Sequence, residues 1–116
     1  MAIYVKTLYP DQLIDSIKQK IYNHEIITWN VDSDGDYTIN RDQWEFHAWF
    51  RIIPQNENDR VTFGIIQSKR YPMTNMLYGV YHGRMVETLL IYFSNLIDNI
   101  EVTPDPIREV DIIREL

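Results

Sequence analysis

The chain has 116 residues, a formal net charge of −6 and no cysteine, which fits a single domain and excludes both a disulfide framework and thiolate chemistry. With 45% hydrophobic and 13% aromatic residues it has material for one packed core and is not a disordered acidic chain. The acidic balance, with Lys69-Arg70 as the densest basic cluster, argues against phosphate-backbone binding, so nucleic acid is not expected as a partner.

Ile3 to Leu8 is β-rich and reads as a short strand. Pro10 and Asp11 then mark a helix start, because proline is tolerated in the first turn and an acidic side chain complements the positive end of the macrodipole. Leu13, Ile14, Ile17 and Ile21 follow at helical spacing, so the first helix should run from Pro10 to Asn23. The period then changes to two. Ile27, Trp29 and Val31 alternate with polar residues, Asp32-Ser33-Asp34-Gly35 makes a turn, and Tyr37 and Ile39 return as a hairpin. A second turn over Asn40 to Gln43 leads into a long strand with Trp44, Phe46, Ala48, Phe50 and Ile52 on one face and Glu45, His47, Trp49, Arg51 and Ile53 on the other. Pro54 ends it. Val61, Phe63, Ile65 and Gln67 form another strand, in which Gly64 marks a close approach or a bulge.

Thr74 to Ile100 reads as one long helix. At 100° per residue, Gly79, His82, Gly83, Val86, Leu89, Leu90, Phe93, Leu96, Ile97 and Ile100 share an inner sector, opposite Arg84, Glu87, Thr88, Ser94, Asn95, Asp98 and Asn99. Gly79 and Gly83 then pack closely on the sheet or on a second subunit. Thr103-Pro104-Asp105-Pro106 interrupts the chain, leaving residues 103–116 as a C-terminal helix or arm, with an edge strand over Val110 to Ile113 as the alternative. The expected fold is a single α+β domain over 1–116. It has two layers: an antiparallel sheet of four to five strands, with the N-terminal helix and the long second helix packed on it.

Chemical signals are sparse. Asn30 to Gly35 opens like a calcium loop, but Arg41 stands where the twelfth position needs a bidentate Glu, and the flanks are β. An acidic hairpin tip and no metal site are expected. His24, His47 and His82 lack metal-ligand spacing, and no Gly-x-Ser-x-Gly elbow or glycine-rich phosphate loop is present, so no catalytic residue and no cofactor is assigned. The exceptional stretch is the outer face of the long strand, a Trp between His and Arg, which the C-terminal segment, the first helix or another copy of the domain covers, or which forms a partner surface or a ligand pocket.

Glu45, His47, Trp49, Arg51 and His82 are therefore the candidate binding residues. The expected function is a protein–protein interaction module whose partner is another protein or a second copy of itself. The alternative is a small-molecule binding domain or small hydrolase with a pocket between sheet and long helix. Met1 to Leu8 lack the basic and apolar regions of a secretion signal, and no long uncharged run is present, so a cytoplasmic location away from membranes is expected.

Overall fold

The computed structural model describes residues 2–40, 43–53, 59–105, 107 and 110–113. One antiparallel sheet carries six strands in the order β2-β3-β4-β5-β1-β6, one more than the expected maximum. These are β1 (Ile3–Lys6), β2 (Trp29–Val31), β3 (Tyr37–Ile39), β4 (Ala48–Ile53), β5 (Arg60–Gln67) and β6 (Asn99–Val102), with helices α1 (Pro10–Tyr22) and α2 (Asn75–Phe93). The N-terminal strand lies between β5 and the late strand β6, pairing Ile3 with Phe63 on one side and with Val102 on the other.

Register explains the core. Ile3, Val5, Trp29, Tyr37, Ile39, Ala48, Phe50, Val61, Phe63 and Ile65 alternate onto one face, where they meet Leu13 and Ile17 of α1 and the inner side of α2. The centre of this interface is aromatic: Trp29, Phe50 and Tyr81 lie with ring centroids 5.7–6.1 Å apart. Trp29 Nε1 donates to Thr88 Oγ1 at 3.0 Å, and the Thr88 hydroxyl donates to the Arg84 carbonyl at 2.8 Å. The Tyr81 hydroxyl donates to the Trp44 carbonyl at 2.6 Å. Burial raises the Tyr81 pKa above that of a free phenol.

The second helix differs from expectation in length and in rotation. It ends at Phe93, followed by a 3-10 turn over Ser94–Leu96, and Ile100 belongs to β6. The apolar residues Ile97, Ile100 and Val102 suit a strand as well as a helix, and β1 needs an edge partner that β6 supplies, with Asp98 N donating to Lys6 O at 2.9 Å. The inner side of α2 is Leu77, Tyr78, Tyr81, His82, Met85, Thr88, Leu89 and Phe93. Gly79, Gly83 and Leu90 are exposed and Thr88 is buried, the reverse of the expected placement. Apolar residues surround α2 on every side, so periodicity alone did not determine which sector faces inward. The aromatic rings and the Trp29–Thr88 hydrogen bond determine it.

Two further boundaries move. The long strand starts at Ala48 rather than Trp44, because Gln43 to His47 form turns, and Ile27 lies exposed outside the hairpin. At the C-terminus, the described residues form no helix. Ile112 instead makes a parallel bridge to Ile66, in line with the edge-strand alternative. Beyond the end of β1, this segment takes over the edge of β5, with Ile112 N donating to Ile65 O at 2.8 Å and Gln67 N donating to Ile112 O at 2.9 Å. The Asp111 carboxylate fastens it, accepting from the Ile65 and Ile107 amides at 2.8 Å each. Gly64 is a close approach as expected: a Cβ there would lie 2.2 Å from the Val110 carbonyl oxygen.

Candidate functional site

Helices cover one face of the sheet, and the other carries Trp49, Arg51 and Ile53 of β4, opposite Ile66, Gly64 and Thr62 of β5. Arg51 reaches across to the hairpin, where Nε and Nη2 donate to the two oxygens of Asp36 at 3.0 and 2.8 Å. This bidentate bond holds the Arg51 guanidinium pKa above its already high ordinary value, with the Asp34 and Asp32 charges adding to it. The hairpin tip is organised from within, since Asp32 Oδ1 accepts from the Asp34 and Asp36 amides at 2.9 and 3.0 Å and Gly35 takes the left-handed φ of 83°. Asp32, Asp34 and Asp36 bring carboxylate oxygens within 4.8 Å, but Asp36 is committed to Arg51 and one Asp32 oxygen to the turn.

Phe46, expected inside, sits at the head of this face with 54% exposure. Its backbone takes φ 62°, a left-handed conformation that costs a bulky residue of order 1–3 kcal/mol. The surroundings enforce it. Thr38 Oγ1 accepts from the Phe46 amide at 3.1 Å, donates to the Ala48 carbonyl at 3.0 Å and lies 3.1 Å from the Tyr81 hydroxyl. The buried Thr38–Tyr81 pair thus holds the turn that points Phe46 outward, its ring centroid 6.4 Å from that of Trp49. Ile66 is the cross-strand partner of Trp49, and Ile112 is bridged to Ile66. Phe46, Trp49, Ile66 and Ile112 therefore form an apolar row across the outer face. Charges of both signs stand on this face: Lys6 and Arg60, with the Arg60 guanidinium 4.9 Å from the Tyr4 ring centroid, Glu101 paired in register with Tyr4, and the Arg51–Asp36 ion pair.

The five residues singled out from the sequence divide among three places. Trp49 and Arg51 share the outer face. His47 stands at its end, half-buried, stacked on Tyr71 with centroids 3.7 Å apart, and its buried Nδ1 has no hydrogen-bond partner among the described residues. Glu45 turns away, lining a cleft of about 770 Å³ with His24, Asn30, Asn40 and Arg84. A second recess of about 740 Å³ adjoins it through Ile21, His24 and Asn30. His82 is inside the sheet–helix interface, where Nδ1–H donates to the Tyr78 carbonyl at 2.7 Å and the ring meets Phe50 edge-on at 5.0 Å. Sequence reasoning missed Phe46 and Ile112, because the turn at Gln43 to His47 reverses the strand alternation and the bridge to Ile66 is a long-range pairing.

No protein-family model, no curated protein and no solved structure matches the chain. Among the described residues, no helix is long and apolar enough to cross a membrane.

Proposed function

We propose that this domain acts by binding another protein through the outer face of its sheet, with Phe46 and Trp49 as anchors and Arg51 beside them. The observation that carries this is Phe46, an aromatic side chain left 54% exposed in a left-handed backbone conformation that the bond from its amide to the buried Thr38 hydroxyl holds in place. Phe46, exposed, and Trp49, half-buried, stand beside Arg51, and aromatics with arginine are the composition of energetic hot spots. Arg51 is already paired with Asp36 and Lys6 shares its face with Glu101, so charge on this face is balanced and the complementary partner is defined by an apolar segment that covers the Phe46–Trp49 row.

A small-molecule site is the second reading, favoured by the polar cleft in which Glu45, His24, Asn30, Asn40 and Arg84 converge. Affinity capture run in parallel with wild type, the double variant Phe46→Ser/Trp49→Ala, and Glu45→Ala separates the two. A protein retained by wild type and by Glu45→Ala but weakened by roughly 30-fold or more in the double variant supports the outer face, since hot-spot truncation costs about 2 kcal/mol or more. Equal retention by all three proteins overturns it.

A further inference from the structure

Strand β6 stands last in the sheet order and pairs with β1 and, among the described residues, with no other strand. The register fixes how it is turned. Ile100 and Val102 lie opposite Val5 and Ile3, which are fully buried on the helix-covered face, so both side chains point to the helix side and Glu101 to the other. The main chain alternates in the plane of the sheet. Thr103 N donates to Ala2 O at 3.1 Å, and on the far side of β1 Thr7 N donates to Asp59 O at 2.9 Å. Antiparallel alternation from these two bonds aims the amides and carbonyls of Asn99 and Glu101 at β1, and those of Ile100 and Val102 away from the sheet. An unpaired main-chain row therefore runs along β6. Where β5 passes the end of β1, the chain covers the open edge with its own Ile112, but among the described residues it gives β6 no such cover. Native edges are commonly blunted by lysine, proline or an inward-pointing charge. Asn99–Val102 has none of these, since its one charge, Glu101, lies on the opposite face.

A groove adjoins this row. It measures about 380 Å³ and is walled by Val86 and Leu90 of α2 together with Ile97, Ile100 and Val102. Leu90 is 53% and Val102 41% exposed. An open strand edge beside an apolar groove dictates the form of its occupant. An extended chain can bond to the row through every second residue and lay the side chains of those same residues over the groove. Its residue between them then stands opposite Glu101 in a non-hydrogen-bonded pair, the closer kind, where lysine or arginine is favoured. A second copy of β6 is a poor occupant. With Ile100 opposite Val102, Glu101 meets Glu101. With Ile100 opposite Ile100, Val102 falls opposite Asp98, whose amide already donates to Lys6 O at 2.9 Å. With Val102 opposite Val102, Ile100 falls opposite Pro104, which has no N–H to give.

We propose that the edge of β6 and the groove beside it take up an extended segment of another protein as an added strand, with the pattern apolar, Lys or Arg, apolar. This surface lies three strands from Trp49 of β4 and does not depend on it. A phage-displayed library of random peptides, selected on the full chain, supplies the probe. Enriched sequences should share the alternation, and a synthetic peptide of the most enriched sequence should shift the Ile100 and Val102 amide resonances. Val102→Pro removes a donor from the unpaired row and none from the pairing with β1, and Leu90→Asp spoils the groove without touching the strand. Each should weaken that peptide by about tenfold or more, with far-UV circular dichroism as in wild type. Leu90→Asp decides the matter if the proline variant unfolds. Selection on Glu101→Lys should turn the central residue acidic. The proposal is overturned if no peptide is enriched, if enriched peptides lack the alternation, or if they bind Leu90→Asp as tightly as wild type. A wild type that dimerises with rising concentration, and that Val102→Pro returns to monomer, would give this edge to a second copy and overturn it equally.

Discussion

Replacing Asp111 with alanine tests how the C-terminal segment is held. Its carboxylate is 7% exposed and accepts from the Ile65 and Ile107 amides at 2.8 Å each. Hydrogen bonds to a charged group contribute about 1.5–3 kcal/mol apiece, so keeping the segment in place without Asp111 costs roughly 3–6 kcal/mol. The segment has a cheaper route, because it can leave and expose both amides to water. What is then lost is its docking energy, dominated by two backbone hydrogen bonds beside Ile66 and the contact of Val110 with Gly64. Global stability should therefore fall by about 1–3 kcal/mol, a drop of several degrees in Tm for a chain of this size.

Hydrogen exchange localises the effect. The Gln67 amide, which donates to Ile112, should lose protection by about tenfold or more, whereas Val61 and Phe63, paired with β1, should change only with global stability. Gly64→Ala should produce the same pattern by pushing on the Val110 carbonyl, and the double variant should cost far less than the sum, because the segment can be released only once. If Asp111→Ala leaves both Tm and Gln67 exchange unchanged, the carboxylate does not fasten the segment and this reasoning fails.

Burial raises the pKa of Tyr37 and, more modestly, of Tyr81. The resulting stability is complete below the free phenol value near 10 and is lost as pH rises through the folded values. Absorbance titration near 295 nm should show these two tyrosines ionising only together with alkaline unfolding, and a smooth titration of all eight tyrosines in a folded protein would contradict their burial. At the hairpin tip, Asp34→Asn should change stability by only a few tenths of a kcal/mol. Calcium calorimetry should detect no saturable binding tighter than about 100 μM, the strong end of the extracellular range.

Much of this fold is legible in the chain because its strands keep strict alternation. Trp29 and Val31, Tyr37 and Ile39, and Val61, Phe63 and Ile65 could face only one way once one layer of helix covers the sheet. Proline and acidic placement marked the start of α1 for equally local reasons. Three features were decided by long-range partners. Thr88 turns inward because the Trp29 indole needs an acceptor, which no helical periodicity records. Residues 99–102 form β6 because β1 has a vacant edge, although Ile97 and Ile100 also continue the helical spacing of α2. Phe46 faces out because Thr38 and Tyr81 pin the turn before β4, two contacts separated from it by 8 and 35 residues. The candidate site was half legible: the Trp49–Arg51 alternation showed the outer face, while neighbouring Glu45 and His47 were displaced by that same turn.

Gly83 shows how a spacing can mislead about packing. With Gly79 it reads as a close approach, yet the inner side of α2 is filled by Tyr78, Tyr81, Met85 and Leu89, and a Cβ at either glycine would meet nothing within 4 Å.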